Sequence, residues 1–346
     1  MTPAGRLPIP LFEPFDPMPE TTSSEPRVTI TRHRDGAEDQ SFRDELRSSL
    51  SETPRRLPSR FFYDEIGSEL FEEICTLPEY YPTRTERAIL EYRAAEIVAA
   101  SGAEELVELG SGAATKTEIL LDAMAAADQL RLYVPFDVSE VMVERVARRL
   151  VERYAGLEVH GVVGDFLSHL GAIPEGGRRL AAFLGGTIGN FAPERGRDFL
   201  ASVNRRLAPG DHVLLGTDLI KDVATVEAAY NDSRGVTAAF NLNILTVVNG
   251  LADADFDPAA FRHRAFWNAD RHRIEMRLVS RRPQRVTLRE LDLAFDLAEG
   301  EEILTEISTK YDREKVEALL AGAGLELVGW FTDPQNLFAL SLSRKP

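Results

Sequence analysis

Three short stretches carry side chains whose types and spacing suit a nucleoside-like ligand. The motif Glu108-x-Gly110-x-Gly112 closes the apolar run Leu106–Leu109, Asp137 closes Val134-Pro135-Phe136, and Asp165-Phe166 follows Val163-Gly164. A glycine turn between a strand and a helix aims backbone N–H groups at a ligand, and glycine there allows an approach and backbone angles that a Cβ forbids. An acidic residue at the tip of the next strand, here 25 positions after Gly112, accepts hydrogen bonds from a ribose diol. Asp165 can accept from an adenine amino group while Phe166 borders the ring. Each feature also has a plainer reading: a structural turn for the glycines, a helix N-cap for either aspartate. The dinucleotide fingerprint requires a third glycine where Thr115 stands, so the signal does not indicate a pyrophosphate ligand.

Other residues add to this set. Lys116 stands in the first turn of the following helix, where the dipole disfavours a cation, so an anionic partner is expected, either a ligand carboxylate or solvent-screened surroundings. Leu184-Gly185-Gly186-Thr187-Ile188-Gly189-Asn190 follows a fourth apolar run, and Asn190 can both donate and accept. Leu77-Pro78-Glu79-Tyr80-Tyr81-Pro82 is an aromatic loop stiffened by prolines, able to aim a tyrosine or to pack it on the core. Thr83-Arg84-Thr85-Glu86 reads as a capping box opening a helix that runs to about Ala100. No metal is expected. The six histidines lack ligand spacing, and Asp253-x-Asp255-x-Asp257 has Pro258 and Arg264 where a calcium loop needs glycine and glutamate.

The elements that must position these residues alternate. Strands are expected at 106–109, 132–136, 157–163, 180–185 and 212–217, with helices at 115–126, 139–153 and 193–207. That alternation predicts a parallel sheet covered by helices on both faces, with its ligand outside the carboxyl ends of the strands. After Asp218 the pattern changes to helices near 223–230 and 236–248 and then to antiparallel strands within 261–295. A terminal hairpin, 325–332 and 336–343, adds an antiparallel edge. The chain thus divides into a proline-rich leader expected to be disordered (1–30, holding seven of 19 prolines), a substrate-binding domain (31–84 with 219–310) and a sheet domain (85–218 with 311–346).

Composition excludes several functions. The net charge of −16 repels phosphate backbones, so no nucleic-acid partner is expected. No apolar run approaches the ~20 residues of a membrane span, and the N-terminus lacks the regions of a signal peptide. The single cysteine, Cys75, fits a reducing compartment, and the chain is expected to be cytoplasmic and to act as a monomer.

The strand-tip set Glu108, Gly110, Gly112, Asp137 and Asp165 resembles the cofactor site of class I S-adenosylmethionine-dependent methyltransferases. The fold expected is therefore α/β, a Rossmann-like class I methyltransferase sheet with an antiparallel edge hairpin, plus a second α+β domain. Phe62-Tyr63-Asp64, the segment Leu77 to Glu86, Leu184-Gly185 through Gly189-Asn190, and Leu304-Thr305-Glu306-Ile307-Ser308 make the resemblance narrower. Over residues 42–345 the chain resembles the histidine-specific Nα-methyltransferases of ergothioneine biosynthesis, which make trimethylhistidine (hercynine). The resemblance implies that Tyr63, Gly110, Lys116, Asp137, Asp165 and Phe166 hold S-adenosylmethionine. It implies that Tyr80, Asn190, Tyr230, Met276, Glu306 and Ser308 hold L-histidine, with Tyr80 and Asn190 nearest the chemistry. Ala113-Ala114 departs from the more polar residues expected after the glycines. Two alternatives stay open: an N-methyltransferase of another amino acid such as tryptophan, which Glu306 and Met276 argue against, and a catalytically idle binder of the cofactor.

Overall fold

The strand Glu105–Leu109 is buried at every position, as a parallel strand covered on both faces must be. The computed structural model describes residues 27–33 and 36–346, with side chains from Phe42 onward in the first helix. In chain order the strands are β1 (Val28–Arg32), β2 (Glu105–Leu109), β3 (Leu132–Asp137), β4 (Glu158–Val163), β5 (Arg179–Phe183), β6 (His212–Asp218), β7 (Phe261–Asn268), β8 (Arg273–Ser280), β9 (Gln284–Leu288), β10 (Leu293–Leu297), β11 (Glu302–Thr309), β12 (Glu326–Thr332) and β13 (Phe338–Arg344). The helices are α1 (Gly36–Ser51), α2 (Glu65–Thr76), α3 (Tyr81–Ser101), α4 (Thr117–Ala126), α5 (Glu140–Arg153), α6 (Phe166–His169), α7 (Pro193–Asn204), α8 (Val223–Ala228), α9 (Val236–Ala252) and α10 (Arg313–Gly322).

Eight strands form the central sheet in the order β1-β4-β3-β2-β5-β6-β13-β12. The strands from β1 to β6 are parallel, and β13 runs antiparallel between β6 and β12. Strand order reverses between β2 and β5, which opens a crevice at their carboxyl ends. Alternation sorts the side chains by face. Leu106, Tyr133, Leu180 and Leu214 meet residues of α3, α4 and α5, whereas Val107, Val134, Ala181 and Val213 meet residues of α7 and α10.

One sequence expectation is corrected at the N-terminus. Residues 1–26 of the proline-rich leader lie outside the described residues, but Val28-Thr29-Ile30-Thr31-Arg32 is a strand paired in register with β4, from Val28 opposite Val159 to Arg32 opposite Val163. The prolines upstream masked a five-residue β-branched alternation that completes the sheet edge.

A second core draws on residues 46–81 and 226–303. Here α1, α2 and α9 pack with the three-stranded sheet β11-β8-β7 and the hairpin β9-β10. Phe62 stacks on Phe240 of α9 with centroids 4.5 Å apart. Within this core Leu57 N–H donates to Leu304 O at 2.9 Å, and backbone bonds tie the core to the central sheet beyond β6, where Ile220 N–H donates to Tyr311 O at 2.8 Å and Tyr311 N–H to Asp218 O at 2.9 Å. Phe62 is fully buried, so Phe62→Ala is expected to lower the unfolding free energy by about 3–5 kcal/mol. Urea denaturation measures this, and a loss below ~1 kcal/mol contradicts the packing described.

Candidate active site

The carboxyl tips of β2, β3 and β4 lie side by side. Gly110 N–H donates to Phe136 O at 2.8 Å, Gly164 N–H to Asp137 O at 3.0 Å, and Gly112 N–H to Asp137 Oδ2 at 2.8 Å. Gly110 and Gly112 have φ of +75° and +47°, and a Cβ on Gly112 would meet nothing within 4 Å, so the turn faces open space. Burial raises the Asp137 carboxyl, while N–H groups of Ser139 and Gly112 favour its charged form. Asp165 caps α6 through Leu167 N–H at 2.8 Å and also meets Arg60 at 3.2 Å. The ring of Phe166 lies beside Gly110, with its Cε1 3.7 Å from where a Cβ there would be.

Next to these tips a cleft opens between the sheet and the second core. Its walls include Tyr63, Tyr80, Asn190, Tyr230, Met276, Glu306 and Ser308. Strand β11 builds one wall. Its register against β8 slips at Thr305, so that Leu304 faces Arg277 and Glu306 faces Met276. A bulge re-aims the residues beyond it. After the bulge, Glu306, Ser308 and Lys310 line the cleft at alternate positions while Ile307 enters a core. The bulge is held by Asn241 of α9, whose Oδ1 accepts from the Thr305 hydroxyl at 2.6 Å and whose amide donates to Arg277 O at 3.2 Å. Opposite, the turn Thr187–Asn190 presses on β11. A Cβ on Gly189 would come within 2.8 Å of Thr309 O, so only glycine permits the approach that brings Asn190 to the cleft. Tyr63 packs edge-on against Phe71, as does Tyr80, which also meets the ring of Tyr230.

Beneath the cleft lies a buried network around Asp218, at the tip of β6. Asp218 accepts from Tyr81 Oη at 2.9 and 3.0 Å, from Lys310 Nζ at 2.7 Å, and from Lys221 Nζ. Lys310 also donates to Ser308 Oγ at 2.7 Å and Tyr230 Oη at 3.1 Å. Burial opposes the Lys310 charge, but Asp218 outweighs burial and holds the ammonium protonated. Burial likewise opposes the Asp218 charge, and Lys310 and Lys221 outweigh it. Lys221 is pushed down to about 8 by burial. Glu306 is pushed up to about 7 by burial, with Lys310 opposing. Burial raises the phenols of Tyr80 and Tyr230, so both stay protonated at neutral pH.

The structure corrects two local readings. Thr83-to-Glu86 is not a capping box: α3 begins at Tyr81 with Pro82 in its first turn, Thr83 donates to Cys75 Sγ at 3.2 Å, and the fully buried Glu86 accepts from Gly185 N–H at 2.9 Å. The anionic partner expected for Lys116 is this same Glu86. Lys116 sits just before α4 as its N-cap residue, outside the cleft lining. Asp218, Lys310, Lys221, Tyr81 and Glu86 were not expected at the site. Lys310 shares the strand period of Glu306 and Ser308, and Asp218 ends a strand as Asp137 does, so both carried a readable signal.

The sequence model of the histidine-specific, S-adenosylmethionine-dependent methyltransferases matches residues 42–345. The chain belongs to that family. It is 51% identical to histidine N-alpha-methyltransferase of Mycolicibacterium smegmatis over 304 residues, covering 88% of this chain and 95% of that protein. It is 48% identical to histidine N-alpha-methyltransferase of Mycobacterium tuberculosis over 320 residues, covering 92% and 100%. It is 32% identical to ergothioneine biosynthesis protein 1 of Neurospora crassa over 315 residues, covering 84% of this chain and 34% of that protein. Within this methyltransferase the eight-stranded sheet with its reversed strand β13 is the class I fold expected from the sequence.

Glu306 supplies a test of the cleft electrostatics. Its carboxyl titrates near 7 in the folded protein against about 4.3 in the unfolded chain. A raised acid pKa means the folded state loses stability as pH climbs through this window, and the penalty is complete above 7. Glu306→Gln is therefore expected to raise the unfolding free energy of the free enzyme at pH 8 by roughly 1–3 kcal/mol. The gain should vanish by about pH 4. Denaturant unfolding across pH reads this, and an equal effect at both ends contradicts the assignment.

Proposed function

We propose that this enzyme transfers three methyl groups in succession from S-adenosylmethionine to the α-amine of L-histidine, giving trimethylhistidine (hercynine) in ergothioneine biosynthesis. The observation that carries the reading is the β11 wall. A carboxylate, a hydroxyl and an ammonium face the cleft at Glu306, Ser308 and Lys310, with Met276 opposite Glu306. An imidazole presents one N–H and one bare nitrogen, and this wall can meet both.

The residues at the strand tips fit the methyl donor. Asp137 keeps acceptor capacity for a ribose diol beside the open glycine turn, and Phe166 beside Gly110 suits the edge of a base. Asp165 serves the same end of the site, while Tyr63 and Lys116 are assigned to the donor's amino-acid end. When bound, S-adenosylmethionine supplies an electrophilic methyl on a sulfonium.

The chain's own residues align the nucleophile. Asn190 and the Tyr230 hydroxyl hold the substrate carboxylate, and Tyr80 contacts the amine and its partly methylated forms. Alignment is the main contribution, since well-oriented reactions gain on the order of 7–11 kcal/mol from it. The amine must be neutral to attack. Tyr80 and Tyr230 stay protonated, so Tyr80 meets the amine and Tyr230 the carboxylate as neutral phenols, while the buried Lys310 cation disfavours an ammonium nearby. Water carries the proton away.

Residues 85–218 and 311–346 serve as the methyl-donor domain, joined by the strand Val28–Arg32. Residues 31–84 and 219–310 otherwise serve as the substrate domain, a division supported by the separate second core. The enzyme acts as a monomer on the free amino acid in the cytoplasm. No described helix is long and apolar enough to cross a membrane.

Purified protein incubated with S-adenosylmethionine and each standard amino acid, read by mass spectrometry, is expected to add up to three methyls to histidine alone. Consumption of a different amino acid, with histidine untouched, overturns the proposal. Glu306→Ala is expected to lower kcat/KM for histidine by roughly 100-fold or more with little change in affinity for the donor, and an unchanged substrate profile contradicts its role.

A further inference from the structure

Lys310 has no exposure to solvent, and its three N–H groups are all engaged. They reach Asp218 Oδ2 at 2.7 Å, Ser308 Oγ at 2.7 Å and Tyr230 Oη at 3.1 Å. An ammonium has three donors and no acceptor, so each of these contacts has one possible direction. Tyr230 and Ser308 are themselves 2.8 Å apart. Two hydroxyls carry two hydrogens, and one of them fills this contact. The other finds no acceptor on Lys310 and is left to the cleft, which both residues line. The pair therefore meets a ligand as a donor: with one hydrogen while the contact is kept, and with two once a ligand parts it.

We propose that Lys310, anchored by Asp218, is a positioning residue that sets the polarity of substrate recognition, making Ser308 donate to the bare nitrogen of a neutral imidazole while Glu306 accepts from its N–H. The inference rests on the histidine reading above and names how that reading is enforced. With Ser308 a donor, Glu306 has to accept, because a neutral imidazole has one site of each kind. A ring that carries an N–H but no bare nitrogen leaves the Ser308 hydrogen without a partner, and a site built around such a bond discriminates strongly against it. The register supports the pairing. Glu306 and Ser308 are one strand period apart on the same face, and Lys310, one period further, lies behind Ser308 on the side of Asp218.

The test compares kcat/KM for L-histidine with that for the two pyrrolylalanine isomers, which keep the N–H and lack the second nitrogen. Lys310→Met preserves length and removes all three donors. It frees Ser308 to turn either way, so the preference for histidine over pyrrolylalanine is expected to fall roughly tenfold or more. In a Ser308→Ala background the same substitution is expected to move the ratio by less than about twofold, because the residue it acts through is gone. A merely structural loss lowers both substrates alike and leaves the ratio in place. An unmoved ratio in Lys310→Met, or an equal change with and without Ser308, overturns the inference. If Lys310→Met does not fold, Ser308→Ala alone is expected to lower the ratio by a similar factor, and an unchanged ratio there overturns it as well. Absence of wild-type turnover on histidine overturns both this inference and the functional reading, whereas turnover with an unmoved ratio overturns this inference alone.

Discussion

One buried carboxylate holds the seam on which the site depends. Asp218 ends β6 of the central sheet, and its oxygens take Tyr81 from the start of α3, Lys310 from the end of β11 and Lys221 from the segment that leaves the sheet. Three stretches of chain distant in sequence, at residues 81, 218–221 and 310, thus meet at one charge. A buried ion without partners costs several kcal/mol, so each partner is fixed by the need of the others. Tyr80 is set by its neighbour Tyr81, and Ser308 and Tyr230 are set by Lys310. The cleft's polar wall follows from this arrangement, because the cluster carries two ammonium groups against one carboxylate and suits a ligand that brings a negative charge.

Two further constraints shape the walls. The bulge at Thr305, pinned by Asn241, places Glu306 beyond the slip opposite Met276. A one-residue change of register reverses which face every side chain takes, so Glu306 and Ser308 line the cleft because of the bulge. On the sheet side, Glu86 joins Lys116, after the glycine turn, to the backbone of Gly185, after β5. The two loops that flank the cleft are thereby linked through the interior of α3, and Gly216 leaves the space that Glu86 fills, since a Cβ there would overlap its Oε1. The glycine turn and the cleft share this frame, and an in-line transfer between ligands at the two would require such a fixed relation.

Much of this was legible beforehand, for identifiable reasons. Strands alternating with helices, and acidic residues closing strands, are local patterns, so the sheet, the glycine turn, Asp137 and Asp165 could be placed from spacing. The aromatic loop and the Thr-Glu-x-Ser segment pointed to Tyr80, Glu306 and Ser308 through family resemblance, and the structure brings these to one cleft. The ion network was not legible. Lys310, Lys221 and Asp218 look like ordinary charged residues until the fold buries them together, and Glu86 mimicked half of a capping box because local sequence does not reveal a partner 99 positions away. Strand β1 was hidden for the opposite reason: prolines dominate the composition upstream of five residues whose own alternation is clear.

A cleft that presents the α-amine, and not the ring, to the methyl donor until three methyls are attached would leave a distinctive labelling pattern in the product. The most direct measurement uses S-adenosylmethionine labelled with carbon-13 at its methyl and histidine labelled with nitrogen-15 at the α-position, with the product read by NMR. Three equivalent labelled methyls are expected, each coupled through one bond to the α-nitrogen, with an unmethylated imidazole. Labelled carbon on a ring nitrogen, or a final product that retains a hydrogen on the α-nitrogen, would contradict it.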